Sequence, residues 1–188
     1  MDRLGLTLAV LLSACSAAPD IQAPRPQRLP SGLQVEGVGR LAIDEPLTAP
    51  YVTVAPDAEP PGRLLPRDRW FRIALPKGSQ YDRLWAWVRA GGVGCIIAFY
   101  RPGIQYQQLV GEYHQRLGPS VREDTQSNPV ARWTLWADDR MVWSIVGPKP
   151  DAVSIVALMI SARDPAQDPN DPTSSRPCSV ATPSPGAG

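Results

Sequence analysis

His114 is the only histidine of the chain, so a histidine-based triad or metal site would have to be built on it. An imidazole changes charge near neutral pH, which suits it to proton transfer or metal ligation. His114 falls in a stretch with helical periodicity, beside the apolar stripe rather than on it. Glu112 lies on the other flank, about 160° away around a helix that turns by about 100° per residue. The two therefore do not form a local acid–base pair, and His114 is expected at a boundary, facing solvent or a loop. Asp138 and Asp139 are adjacent carboxylates whose types suit a turn better than acid–base work. Asp164, Asp168 and Asp171 are separated by prolines. They lack the glycine, the closing glutamate and the spacing of a calcium loop. Gly91-Gly92-Val93-Gly94 precedes an apolar strand pattern, whereas a phosphate loop follows a strand and opens a helix. From these residues no catalytic constellation, metal or cofactor is expected, and the chain reads as a non-enzyme.

Cys15 has a more specific setting. Met1-Asp2-Arg3 is followed by an apolar run from Leu4 to Leu12, broken only by Gly5 and Thr7, and then by Ser13 and Ala14. A short polar start, an apolar core and small residues before a cut make a secretory signal peptide. The run is too short to span a bilayer, which takes roughly 20 apolar residues. Leu12-Ser13-Ala14-Cys15 resembles the lipobox of bacterial lipoproteins. The resemblance implies cleavage after residue 14, a diacylglyceryl group on the Cys15 sulfur and usually an acyl chain, such as palmitate, on its new amine. It further implies a firm hold on the lipid bilayer, because two or more acyl chains anchor stably where one does so marginally. Ser16, rather than aspartate, follows the cysteine; by analogy with enterobacterial lipoproteins this implies sorting to the outer membrane. The expected location is the bacterial cell envelope.

Cys95 and Cys178 are the two cysteines that remain, in an oxidising compartment where disulfides persist. A bridge between them would close a long loop, worth roughly 4 to 5 kcal/mol in the chain-entropy model, and would tie the tail to the domain. The alternative is a buried apolar thiol at Cys95 and a free one at Cys178; geometry separates the two. Two cysteines and one histidine do not supply the four ligands of a structural zinc site. A net charge of +1 argues against sequence-independent binding of nucleic acid, which needs a basic face.

The elements that position these residues follow from periodicity and punctuation. Residues 1–14 are the signal peptide. Residues 15–32 hold the lipidated cysteine and a tether stiffened by Pro19, Pro24, Pro26 and Pro30. In residues 33–67, Pro46, Pro50, Pro56, Pro60, Pro61 and Pro66 exclude a useful helix. Leu41-Ala42-Ile43 and Tyr51-Val52-Thr53-Val54 read as short extended pieces, and irregular chain laid against the domain is expected otherwise, with one edge strand at most. Residues 68–162 form the compact domain. Trp70 to Leu75 reads as a strand. Residues 79–90 admit two readings. In one, Arg83–Ala90 and Val93–Tyr100 form a hairpin around Gly91-Gly92. In the other, Ser79 caps a helix that Gly91 stops. The alternation of Leu84, Ala86 and Val88 with Trp85 and Trp87 favours the hairpin.

Ile104 to Leu117 is an amphipathic helix, with Tyr106, Leu109, Val110, Tyr113 and Leu117 on one stripe. Pro102-Gly103 and Gly118-Pro119 bracket it. Residues 98–118 also resemble, faintly, a strand–helix unit of bacterial exported domains, which implies fold rather than function. Ser120 to Val130 reads as a polar loop. Ala131–Ala137 and Arg140–Val146 form a hairpin about the aspartate pair. Ala152–Ile160 is a central strand buried on both faces. The fold class expected is α+β, a small, largely antiparallel sheet with one main helix packed on it. Residues 163–188 are too poor in apolar side chains to offset ordering entropy and read as a disordered tail.

Six tryptophans complete the inventory. Trp85 and Trp87 share a strand face with Arg83 and Arg89; Trp136 and Trp143 share another, and Trp133 points away from Trp136. Such residues are either core or a binding surface, since tryptophan brings large area with one polar handle. Arg83, Trp85, Trp87 and Arg89 are the candidate binding face. The expected function is a membrane-anchored envelope lipoprotein that binds or assembles with another envelope protein. The alternative is a module that binds a glycan or small molecule on the aromatic face.

Overall fold

The structure, a computed structural model, describes residues 28–53, 69–126, 131–148 and 156–163. Strands β1 (Gly32–Val35) and β2 (Gly39–Ala42) form a two-stranded antiparallel hairpin. The other strands are β3 (Tyr51–Thr53), β4 (Trp70–Ile73), β5 (Tyr81–Arg89), β6 (Gly92–Tyr100), β7 (Arg122–Asp124), β8 (Ala131–Ala137), β9 (Met141–Pro148) and β10 (Ala157–Ala162). They form one eight-stranded sheet in the order β3-β4-β5-β6-β10-β9-β8-β7, with every neighbouring pair antiparallel. Helix α1 (Tyr106–Leu117) packs on one face. An antiparallel sheet carrying one helix is therefore present, but the sheet is larger than the small one expected and the architecture is β-rich.

Residues 79–90 resolve as a strand, and the helix alternative is set aside. β5 and β6 pair around a tip at which Gly91 and Gly92 take φ of 156° and 140°. A Cβ on Gly92 would also lie 2.6 Å from the Glu45 carbonyl oxygen, so no larger residue fits the tip. The register slips between Trp87 and Val88, leaving Gly94 as the extra residue of a β-bulge. β10 lies between β6 and β9, and Leu158 and Ile160 are fully buried, as a central strand requires.

All five stripe residues of α1 are buried. Tyr106 lies over Gly147 of β9, where any Cβ would run into its ring. Its hydroxyl shares a 2.6 Å hydrogen bond with Thr134 Oγ1 on β8, and Arg132 stacks 4.2 Å above it. At the other end the indole of Trp136 donates to the Gly118 carbonyl at 2.9 Å, holding the helix terminus to β8.

The hairpin β1–β2 corrects the expectation of irregular chain over 33–67 in its described part, residues 54–67 lying outside the described residues. Leu33, Val35, Leu41 and Ile43 are buried in the same core as α1. The physical reason is in the proline spacing: between Pro30 and Pro46 the chain is free of proline, long enough for two four-residue strands. Trp143 donates to the Pro30 carbonyl at 2.9 Å, and the Leu29 amide donates to Asp138 Oδ2 at 2.7 Å. β3 is an edge strand of the main sheet. β7 is a second correction, since it falls in the segment read as a polar loop. An edge strand needs only one backbone partner and tolerates charged side chains, so Arg122-Glu123-Asp124 gives no strand pattern. The signal peptide, most of the tether and the tail from 164 lie outside the described residues.

Candidate functional site

Strand alternation sorts the sheet into a helix side and an outer side. On the outer side the register sets side chains in rows. Trp70, Trp87, Cys95 and Ser161 are successive cross-strand partners on β4, β5, β6 and β10. Arg72, Trp85, Ile97 and Met159 form the next row, and Arg83 stands opposite Phe99. Trp70, Trp85, Cys95 and Ile97 make a second apolar cluster, flanked by Trp87, Phe99 and Met159. All of its described members belong to the sheet itself. Trp70 meets Trp85 edge-on at 6.5 Å, and the Arg83 guanidinium lies 4.8 Å above the Phe99 ring. Trp87 lies against Gly94, at which a Cβ would come within 2.7 Å of its ring.

Of the four residues expected to form a binding face, Arg83, Trp85 and Trp87 share this side. Arg89 sits at the hairpin tip, ion-paired with Asp44. Trp85 is only 5% exposed, so it is a core member of the outer cluster rather than an open contact. Arg83 and Trp87 are half-buried. Trp136 and Trp143 belong to the other core, on the helix side. The indole N–H groups of Trp70 and Trp87 are buried and have no acceptor. Cys95 is fully buried and disulfide-bonded. Its partner lies outside the described residues, as do Cys15 and Cys178.

His114 has a neighbourhood that its place in the chain did not reveal. Its Nε2 lies 3.2 Å from Ser120 Oγ and 3.5 Å from Glu123 Oε1, and Ser120 Oγ donates to Glu123 Oε1 at 2.9 Å. Serine, histidine and glutamate are the residue types of a hydrolytic triad, but the arrangement differs. In a triad the two imidazole nitrogens face different partners and the nucleophile hydrogen-bonds the base. Here both partners meet the same nitrogen, and the hydroxyl proton points to the carboxylate. Glu123 was invisible to sequence reasoning because it sits on β7. Asp138 behaves as the turn residue expected: its Oδ1 accepts from the Arg140 and Met141 amides at 2.8 and 2.6 Å. Glu112 accepts from Gln108 at 3.1 Å on the exposed side of α1.

Three tyrosines from three elements meet in the helix-side core, which no local spacing could show. The rings of Tyr81 and Tyr100 are 4.9 Å apart, and the hydroxyls of Tyr100 and Tyr113 are 3.3 Å apart. Burial pushes all three phenols above their ordinary value, Tyr113 to about 12, so they remain neutral hydrogen-bonding groups. A hollow of about 460 Å³ lies near the β3 edge, lined by Pro46, Leu47, Tyr51, Phe71 and Val88. Its lining is almost wholly apolar, with few groups to orient a ligand. Among the described residues no three metal-ligating side chains cluster, and no helix is long and apolar enough to cross a membrane. Comparisons with protein families, with curated proteins and with solved structures return no match.

Proposed function

We propose that this chain is a lipid-anchored module of the bacterial envelope, held in the outer membrane through acylated Cys15, and that it binds another envelope protein without catalysing a reaction. The observation that carries the reading is Leu12-Ser13-Ala14-Cys15 closing a short apolar run. The β-rich scaffold is read as an α+β module whose outer sheet face, around the half-buried Arg83 and Trp87 and backed by Trp85, is its recognition surface. Two buried indole donors without acceptors support that choice, because carbonyl oxygens of an approaching chain would pair with them.

The test is metabolic labelling with radioactive palmitate, together with the mass of the mature chain. The label is expected on a membrane-bound product that begins at Cys15, and its loss is expected in Cys15→Ser. A labelled or normally processed variant would overturn the reading. A second reading, binding of a glycan or small molecule, is favoured by the same two donors, since sugar oxygens accept equally well. Tryptophan fluorescence titrated with cell-wall oligosaccharides separates the two: a saturable change selects the glycan.

A further inference from the structure

We infer that the β7 edge of the sheet is a self-complementary docking strand, and that its partner is a second copy of this chain, paired antiparallel about a twofold axis through Glu123. β7 is the last strand of the sheet, and among the described residues only β8 pairs with it. Alternate amides and carbonyls of such a strand point away from its one neighbour and can pair with another chain. The edge is also open, since Val121, Arg122, Glu123, Thr125 and Gln126 are all exposed. Val121, at 60%, is the more exposed of the two large apolar side chains that the described residues leave in water.

Charge selects the occupant. Arg122 and Asp124 stand opposite Leu135 and Trp133 on the outer side of the sheet, and Glu123 stands opposite Thr134 on the helix side. Two copies of Arg122-Glu123-Asp124 run antiparallel about Glu123 set Arg122 of each opposite Asp124 of the other. Both cross-strand pairs then join opposite charges, because a twofold axis supplies each contact twice. The Arg122 guanidinium lies 5.1 Å from the Trp133 ring and has no hydrogen-bond acceptor among the described residues. Asp124 Oδ1 accepts from its own Gln126 amide at 2.9 Å, and a carboxylate has roughly four acceptor sites. The residue on the axis meets its own copy, where like charges repel. Glu123 is turned away from that meeting: its Oε1 accepts from Ser120 Oγ at 2.9 Å and lies 3.5 Å from His114 Nε2 on the helix side of its own chain. The His114 cluster thereby gains a role, drawing the one uncompensated charge off the axis. A three-residue strand makes a small contact, so the dimer is weak and reversible. The pairing does not depend on acylation of Cys15, but anchored copies sharing one membrane would gain from a raised effective concentration.

Sedimentation equilibrium of the full-length protein in mild detergent, over a concentration series, supplies the test. The wild type should show a monomer–dimer equilibrium. Arg122→Asp and Asp124→Arg each set like charges opposite one another and should weaken self-association at least about tenfold. An equimolar mixture of the two variants restores opposite charges at both positions and should recover the dimer as a mixed pair, which also shows both variants to be folded. Exchange of the two residues within one chain, Arg122→Asp with Asp124→Arg, should recover a homodimer. A wild type that stays monomeric at every concentration overturns the inference. So does self-association untouched by the single variants, or failure of both the mixture and the exchanged chain to recover it. No arm uses the palmitate label, so failure of the dimer and failure of the anchor are separate results.

Discussion

On the helix side of the sheet, Trp136 and Trp143 each donate an indole N–H to a backbone carbonyl, whereas on the outer side Trp70 and Trp87 have no acceptor. The same strands build both faces. The helix side is finished locally: α1 and the β1–β2 hairpin lie over it, and the carbonyls of Gly118 and Pro30 are presented where the indoles point. The outer side is also rich in aromatic side chains but is not completed by any described element. Aromatic richness alone therefore does not distinguish core from recognition surface. What distinguishes them is whether the polar atoms carried in by the aromatics are satisfied.

Adjacent isoleucines on β6 give the sharpest way to break this comparison. Ile96 points to the helix side and Ile97 to the outer side, and both are fully buried. Ile96→Ala is expected to cost about 3 to 5 kcal/mol, because α1 and the sheet cannot collapse into the hole. Ile97→Ala should cost about 1 kcal/mol less, since the described neighbours of Ile97 are side chains of the sheet, which relax more readily into a cavity than a packed helix does. Urea unfolding of both variants checks the ranking, and equal losses would show the outer cluster to be packed as rigidly as the helix side. The indoles give the next contrast. Trp136→Phe should cost at least about 1 to 3 kcal/mol for the stranded Gly118 carbonyl. Trp87→Phe removes a donor that is already unpaired and should cost less, its loss confined to the smaller ring. Thermal denaturation of the two variants measures the difference.

Much of the helix side was legible in the sequence, because its signals are local. The stripe of α1 needs only one periodic run, and Gly91-Gly92 needs only two positions able to take positive φ. β1 was missed, and β2 was foreseen only in part, as the extended piece Leu41-Ala42-Ile43, because four-residue strands carry too little alternation to stand out among flanking prolines. β7 was missed because an edge strand is defined by its neighbour rather than by its own side chains. For the outer side, spacing placed Trp85 and Trp87 on one face correctly, but alternation is silent about what covers a face. The rows Trp70–Trp87–Cys95 and Trp85–Ile97–Met159 depend on register across several strands, and the Gly94 bulge shifts that register within the hairpin.

Alkali should act on the helix side alone, because the buried tyrosines among the described residues all lie there. The ordinary phenol value is 10.0, and burial raises Tyr113 to about 12 in the folded chain. Below pH 10 both states hold the proton and the contribution is fully present. Between pH 10 and 12 the unfolded chain releases a proton that the folded chain keeps. Stability should therefore fall as pH rises, by up to about 1.4 kcal/mol per pH unit for each such tyrosine. Tyr113→Phe should flatten this fall, as followed by urea midpoints at pH 8, 10 and 11. An unchanged slope would mean that Tyr113 is reached by solvent before unfolding.

The smallest effect belongs to the His114 cluster, at the rim of the finished face. Ser120 bonds both His114 and Glu123, yet Glu123 keeps half of its side-chain surface in water and His114 about a third. Exposed polar contacts exchange readily for water, so Ser120→Ala should change stability by no more than about 0.5 kcal/mol. The ring of His114 would still rest edge-on against Trp136, with centroids 5.3 Å apart, and hold its place. A loss well above that size, in the same urea assay, would mean that the cluster seals the end of the helix-side core. The boundary between finished and unfinished surface would then lie beyond β8, at the β7 edge.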